Sequence, residues 1–95
     1  MRRAAKKDTN HNVIAQALRD VGYRVAETHQ LGSGFPDLVI AGIDRKTGIR
    51  QRWLIEVKGA KEKLTPDEEL FHTLWAGDVV IVRTVDEAYR LVGVL

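Results

Sequence analysis

The segment Leu54-Ile55-Glu56-Val57-Lys58 constrains this chain more than any other. It reads as a strand with Leu54, Ile55 and Val57 apolar, yet it carries two formal charges. Side chains alternate along a strand, so Glu56 and Lys58 share one face while Ile55 and Val57 share the other. A third charge, Asp37, opens another apolar run, Leu38 to Ala41, directly after Pro36. Unpaired buried ions are strongly unfavourable, so a fold that buries these strands must pair the three groups or give them a ligand.

The connection from Asp37 to Glu56 reads as a strand, a turn and a returning strand. If the two strands are adjacent, Glu56 returns to the neighbourhood of Asp37. Two carboxylates converging at a strand end form a hard-oxygen site suited to Mg²⁺ or Mn²⁺, with the Val57 backbone carbonyl as a further ligand. A lysine beside such a site can position or deprotonate a water, or stabilise charge on a phosphate under attack. The plainer alternative is a Glu–Lys ion pair that holds the sheet together. For an isolated E-x-K tripeptide that alternative would be preferred.

The rest of the chain supplies a small α/β frame. Residues 1–9 read as a basic arm and 10–95 as one domain, since a chain of 95 residues leaves no room for a second. Asn10 to Val21 reads as an amphipathic helix with Val13, Ile14, Ala17, Leu18 and Val21 on its apolar stripe and Asp8, Thr9 or Asn10 as its cap. A strand follows over Tyr23–His29, then a loop over Gln30–Pro36. Strands Leu38–Ala41 and Arg52–Lys58 flank a turn over Gly42–Gly48. Thr65-Pro66-Asp67-Glu68 opens a second helix with a cap, a proline at the first position and a capping-box glutamate. Its buried face is Leu70, Phe71, Leu74 and Trp75, and Gly77 ends it. Val79–Val82 is a strand, and Thr84 with Glu87 opens a last helix. The order α-β-β-β-α-β-α predicts a small mixed sheet flanked by helices.

Composition removes several function classes. With no cysteine, disulfide scaffolds, zinc–thiolate sites, iron–sulfur clusters and cysteine nucleophiles are excluded. No apolar run approaches the ~18 residues of a membrane span, and the basic N-terminus has no apolar stretch behind it. These features lead us to expect a cytoplasmic protein with no membrane partner. The formal net charge is only +2, but the cations cluster: Arg2, Arg3, Lys6 and Lys7; then Arg45, Lys46, Arg50 and Arg52; then Lys58, Lys61 and Lys63. Such clusters suit a polyanion, because each neutralised phosphate releases counterions.

Taken together the motifs resemble a known family. Gly34-Phe35-Pro36-Asp37-Leu38-Val39-Ile40 followed by Leu54-Ile55-Glu56-Val57-Lys58 resembles the PD-(D/E)xK nuclease core, a restriction-endonuclease-like fold. Leu64-Thr65-Pro66-Asp67-Glu68 with Phe71-His72 and Trp75, then Val80 to Arg83 and Val85 to Ala88, resembles its VRR-NUC (virus-type replication-repair nuclease) branch. Asp8-Thr9-Asn10, Ala17-Leu18-Arg19 and Gly22 resemble the small stand-alone phage members. The resemblance runs from about Asp8 to the end of the chain. It implies a Mg²⁺- or Mn²⁺-dependent endodeoxyribonuclease acting as a homodimer on branched DNA such as Holliday junctions, in a bacterial or phage-infected cell. Asp37 and Glu56 would be the metal carboxylates and Lys58 the catalytic lysine. Two departures stand out. Many relatives carry an acidic residue on the first helix, where this chain has Val13 with His11 and Gln16 nearby. Relatives also often show Gln where this chain has Glu68, which reads first as a capping residue and second as a neighbour of the lysine.

The remaining candidates divide between function and architecture. Ser33 and Gly34 fit a phosphate approaching the loop before Asp37, or a plain turn. Arg45, Lys46, Arg50, Arg52, Lys61 and Lys63 are the candidate DNA contacts, the hairpin cations reading as the better placed. Trp53 and Trp75 read as core or dimer-interface residues. His11 reads as a surface or capping residue first and as a substitute for the helix carboxylate second. His29 reads as solvent-exposed, His72 as a packing residue. No two of the three histidines are spaced i, i+4, which predicts no zinc site. Two other readings compete with the resolvase-like nuclease: a non-cleaving DNA-binding module on the same fold, and a monomeric nicking or flap nuclease.

Overall fold

The computed structural model describes residues 9–75 and 78–95. The basic arm Arg2, Arg3, Lys6 and Lys7, the cap candidate Asp8 and the helix stop Gly77 lie outside the described residues. Helix α1 (His11–Asp20) is followed by β1 (Arg24–Glu27), a single 3₁₀ turn (His29–Leu31), β2 (Leu38–Asp44), β3 (Ile49–Val57), α2 (Pro66–Leu74), β4 (Val79–Val82) and α3 (Val85–Val92). The strands form one mixed sheet in the order β1-β2-β3-β4. The first two pairings are antiparallel, as short connections allow. β4 pairs parallel to β3, because the chain crosses over through α2 between them. Among the described residues no helix is long and apolar enough to cross a membrane.

One face of the sheet carries the core. Leu38, Ile40, Ile55, Val57 and Val82 meet Ile14, Ala15 and Leu18 of α1 and Ala88 and Val92 of α3. The buried stripe of α1 is His11, Ile14, Ala15 and Leu18, a regular i, i+3, i+4, i+7 set. This corrects the expected stripe: Val13 is exposed and His11 takes part in its place. α2 lies on the opposite side of the sheet and covers it lightly. Its expected buried face is also corrected, since Leu70, Leu74 and Trp75 are 58%, 75% and 48% exposed. Only Phe71 is partly covered, between the rings of Phe35 and Trp75. Trp53 packs edge-on against Tyr23.

Two strands run longer than expected, and one glycine explains part of it. Gly42 is a strand residue, not part of the turn, which is confined to Arg45–Gly48. A Cβ at Gly42 would sit 2.5 Å from Cδ1 of Tyr23. The missing side chain therefore makes room for the Tyr23 ring, whose hydroxyl donates to the carbonyls of Ile43 and Val92. Tyr23 itself precedes β1, and His29 has left the strand for the 3₁₀ turn. The caps of α2 and α3 form largely as predicted. Thr65 and Glu68 make a complete capping box, whereas Thr84 caps Glu87 while the Glu87 carboxylate accepts from the Arg83 N–H. Asn10 holds the cap position of α1 but makes no cap bond. Its amide instead donates to the carbonyls of Lys58 at 3.1 Å and Arg83 at 2.8 Å, tying the start of α1 to the ends of β3 and β4.

Gly42→Ala is expected to destabilise the fold by about 1–3 kcal/mol through overpacking against Tyr23. At roughly 4–8 °C per kcal/mol for a domain of this size, a thermal melt resolves the change. An unchanged Tm would show that the Tyr23 ring moves aside freely.

Candidate active site

The register of β2 and β3 decides the site. Leu38 pairs with Ile55, so Asp37, one step earlier, comes opposite Glu56, one step later. Asp37, Glu56 and Lys58 are 4%, 1% and 5% exposed, so all three predicted charges are indeed buried. Asp37 Oδ2 accepts the backbone N–H of Val57 at 2.8 Å, which locks the carboxylate against β3. Glu68 reaches the site from the first turn of α2, and its Oε1 lies 2.7 Å from Lys58 Nζ. The same oxygen accepts the Thr65 N–H at 2.8 Å. Glu68 is therefore both the capping-box residue and a partner of the lysine, and both sequence readings of it hold.

Gly34 determines how closely α2 approaches. It has φ +82°, and a Cβ there would lie 2.3 Å from the Asp67 carbonyl oxygen. The loop before Asp37 thus rests on the backbone of the α2 first turn, and the bare side of Gly34 faces the protein. Of the two readings of Gly34, this contact supports the plain turn. Ser33 is exposed with φ 57° and remains at the rim.

The electrostatics of the site turn on Glu56. Burial, followed by the hydrogen bond and charge of Asp37 and then by Glu68, pushes the Glu56 carboxyl up to about 10. At neutral pH Glu56 thus carries a proton beside the Asp37 carboxyl, as like charges this close require. Its Oε1 is buried and has no hydrogen-bond partner. Burial opposes ionisation of Glu68 as well, but the Lys58 ammonium and the Thr65 N–H hold it below the usual carboxylate range. Burial also lowers His72, whose Nε2 is a further unpartnered buried atom on the α2 side.

The other predicted residues distribute unevenly. Val57 is fully buried within the strand end that carries the site. Gln16 is exposed and donates to Asp20 at 2.8 Å, so it takes no part. His11 and His29 are buried, which overturns their reading as surface residues. His11 lies near enough to Asp37 to feel its charge, but its direct partner is Glu27, at 3.1 Å. His11, Glu27 and His29 together form a cluster in which one ligand atom from each lies within 4.8 Å of the others, so the histidines do not stand apart as their spacing suggested. Sequence reasoning missed Glu27 and reads Asn10 only as a cap, not as the bridge to Lys58 and Arg83. Glu27 is one of several exposed acids by pattern, and only the pairing of β1 with β2 brings it to this end of the sheet.

The hairpin cations lie away from the acidic pair. The Arg45–Gly48 turn joins the ends of β2 and β3 remote from Asp37 and Glu56. Arg45 Nη2 donates to the Val21 carbonyl at 2.6 Å and its backbone N–H to Val92, so Arg45 braces the frame. Lys46 shares that distal turn. Arg50 and Arg52 share the Glu56 face of β3 by alternation, about 20 and 13 Å from it along the strand at about 3.3 Å per residue. Lys61 and Lys63 are exposed in the loop that follows Lys58.

Comparison with known proteins adds no relative: no family model matches the chain, and neither a curated protein nor a solved structure does. The geometry above is what bears on function.

The raised Glu56 carboxyl has a consequence for stability. The unfolded chain ionises this group near 4.5, whereas the folded chain keeps it protonated to about 10. Between those values folding must retain a proton that the unfolded chain releases, so the Glu56 contribution becomes less favourable as pH rises. Glu56→Gln removes this dependence. In chelator, the variant's Tm is expected to exceed that of the wild type by more at pH 8 than at pH 5. A gap that stays constant or narrows as pH rises would contradict the assignment.

Proposed function

We propose that this chain is a divalent-metal-dependent DNA endonuclease built on a PD-(D/E)xK core of the VRR-NUC type. One observation carries the reading: two buried carboxyl groups, Asp37 and Glu56, meet at a strand end beside a buried lysine. A purely structural ion pair would need one carboxylate for Lys58, and Glu68 already provides it. Asp37 and Glu56 form a surplus acidic pair that requires either a retained proton or a cation.

The donor set fits a hard cation. The buried, unpartnered Glu56 Oε1 is a vacant oxygen donor, and Asp37 and the Val57 carbonyl add further oxygens of the type Mg²⁺ or Mn²⁺ prefers. Bound there, the ion would supply charge neutralisation and polarisation of a phosphodiester oxygen. Asp37, fixed by the Val57 N–H, holds its carboxylate in place before any ligand arrives. Lys58 presents its ammonium beside the two carboxyls, where it can orient an attacking water or stabilise charge on the phosphate. Glu68 Oε1, 2.7 Å from Lys58 Nζ, holds the lysine at the site. Arg50 and Arg52, on the same face of the sheet, line a path for DNA toward it.

The expected homodimer draws support from α2. Leu70, Leu74 and Trp75 leave an apolar face that a second copy would cover. Two sites related by a two-fold axis suit the paired cuts that a four-way junction needs. The preference for branched DNA and the bacterial or phage-infected cytoplasm rest on the sequence resemblance. The non-cleaving module is the second reading, favoured by one observation: α1 brings His11, not a carboxylate, toward Asp37.

A labelled four-way junction and a matched duplex, incubated with Mg²⁺, Mn²⁺ or chelator, test the proposal. Paired cuts that disappear in chelator are expected. Asp37→Asn, Glu56→Gln and Lys58→Met should each lower the rate at least about 100-fold, the scale of a lost transition-state contact, with junction binding largely kept. Binding without cleavage in either metal would overturn the nuclease reading in favour of the module. A monomer by light scattering that still nicks DNA would overturn the dimeric one.

A further inference from the structure

His11, Glu27 and His29 come from three different elements: the first turn of α1, the end of β1 and the 3₁₀ turn. They lie on the α1 side of the sheet, since Glu27 pairs with the core residue Leu38. His11 Nε2 is 3.1 Å from Glu27 Oε1, and the two imidazole rings meet edge to face with centroids 4.7 Å apart. Glu27 is itself held: Arg19 Nη2 sits 3.1 Å from its other oxygen. The Nδ1 atoms of both His11 and His29 are buried with no hydrogen-bond partner. As residues, His11 and His29 are 0% and 8% exposed. The unpaired Nδ1 of His29 is an available donor; on His11 the atom that meets Glu27 is Nε2, not Nδ1.

We infer that His11, Glu27 and His29 form a binding site for a late first-row divalent cation such as Zn²⁺, separate from the all-oxygen site of Asp37 and Glu56. Two imidazole nitrogens and one carboxylate oxygen are a borderline donor set, which such ions prefer and Mg²⁺ does not. The geometry is close to what the ion needs. Ligand atoms around a tetrahedral Zn²⁺ lie about 3.3 Å apart, which the His11–Glu27 pair already matches. The third ligand atom needs a shift of about 1.5 Å at most to reach the same spacing. The Arg19 contact fixes the carboxylate from behind, as supporting groups do in metal sites. Three protein ligands leave a position open for water or an incoming group. The inference does not rest on the nuclease reading, since the three ligands are distinct from Asp37, Glu56 and Lys58.

The test uses the untagged full chain, stripped with chelator and returned to buffer holding millimolar Mg²⁺ to saturate the oxygen site. Titration calorimetry with ZnCl₂ is expected to give one ion per chain, with a raised Tm. CoCl₂ is expected to give the visible absorption of a nitrogen-ligated ion. Glu27→Gln and His29→Asn should each weaken Zn²⁺ binding by about tenfold or more, while Glu56→Gln leaves it unchanged. Imidazole nitrogen resonances of His11 and His29 in the wild-type chain should shift on adding Zn²⁺, a readout that survives if a variant fails to fold. No binding, binding that Glu56→Gln abolishes, or unshifted His11 and His29 resonances would each overturn the site.

Discussion

Four ionisable side chains share one end of a small sheet, and most of the architecture can be understood as the means of keeping them there. Asp37, Glu56, Lys58 and Glu68 occupy a volume from which water is largely excluded, where an uncompensated charge is strongly unfavourable. The Val57 N–H holds Asp37, Glu68 answers Lys58, and Glu56 keeps its proton. This balance is satisfied but not relaxed. It leaves the Glu56 carboxyl protonated at neutral pH beside Asp37.

Positioning of Glu68 illustrates how few residues the arrangement needs. Thr65 starts α2 and captures the Glu68 N–H, and the Glu68 side chain returns to the Thr65 N–H. Helix capping and lysine pairing use the same carboxylate oxygen. Gly34 allows the loop before Asp37 to rest on the α2 backbone, so the helix approaches closely enough for that oxygen to reach Lys58. α2 otherwise touches the sheet lightly, which leaves Leu70, Leu74 and Trp75 uncovered. Its position is set more by its first turn than by burial of an apolar face.

The opposite face of the sheet follows a different logic. There α1 and α3 close a conventional aliphatic core, and His11 enters it as the first member of a regular helical stripe. Its neighbours at that end are His29 and Glu27. The two clusters are linked through Thr28, whose N–H and hydroxyl donate to the carbonyls of Asp37 at 2.8 Å and Pro36 at 2.7 Å. One end of one sheet thus presents an oxygen-rich group on one side and a nitrogen-rich group on the other.

The sequence by itself determined the helices, the strands and the buried charges. Alternation placed Glu56 and Lys58 on one face, and the Thr65 capping box fixed the start of α2, because both signals are local. It also implied that Asp37 and Glu56 would meet, since a short hairpin leaves few other registers. Tertiary structure decided the rest. His11 read as a surface residue because pattern rules count apolar residues, yet its spacing to Ile14, Ala15 and Leu18 put it in the core. Gly42 read as a turn residue, and only the Tyr23 ring lying over it explains why the strand continues. The hairpin arginines read as DNA contacts, and only the strand register shows that β3 carries them away from Asp37 and Glu56. The His11–Glu27–His29 cluster joins a helix start, a strand end and a turn. Nothing in their spacing could announce it, because only the packing of α1 against β1 brings them together.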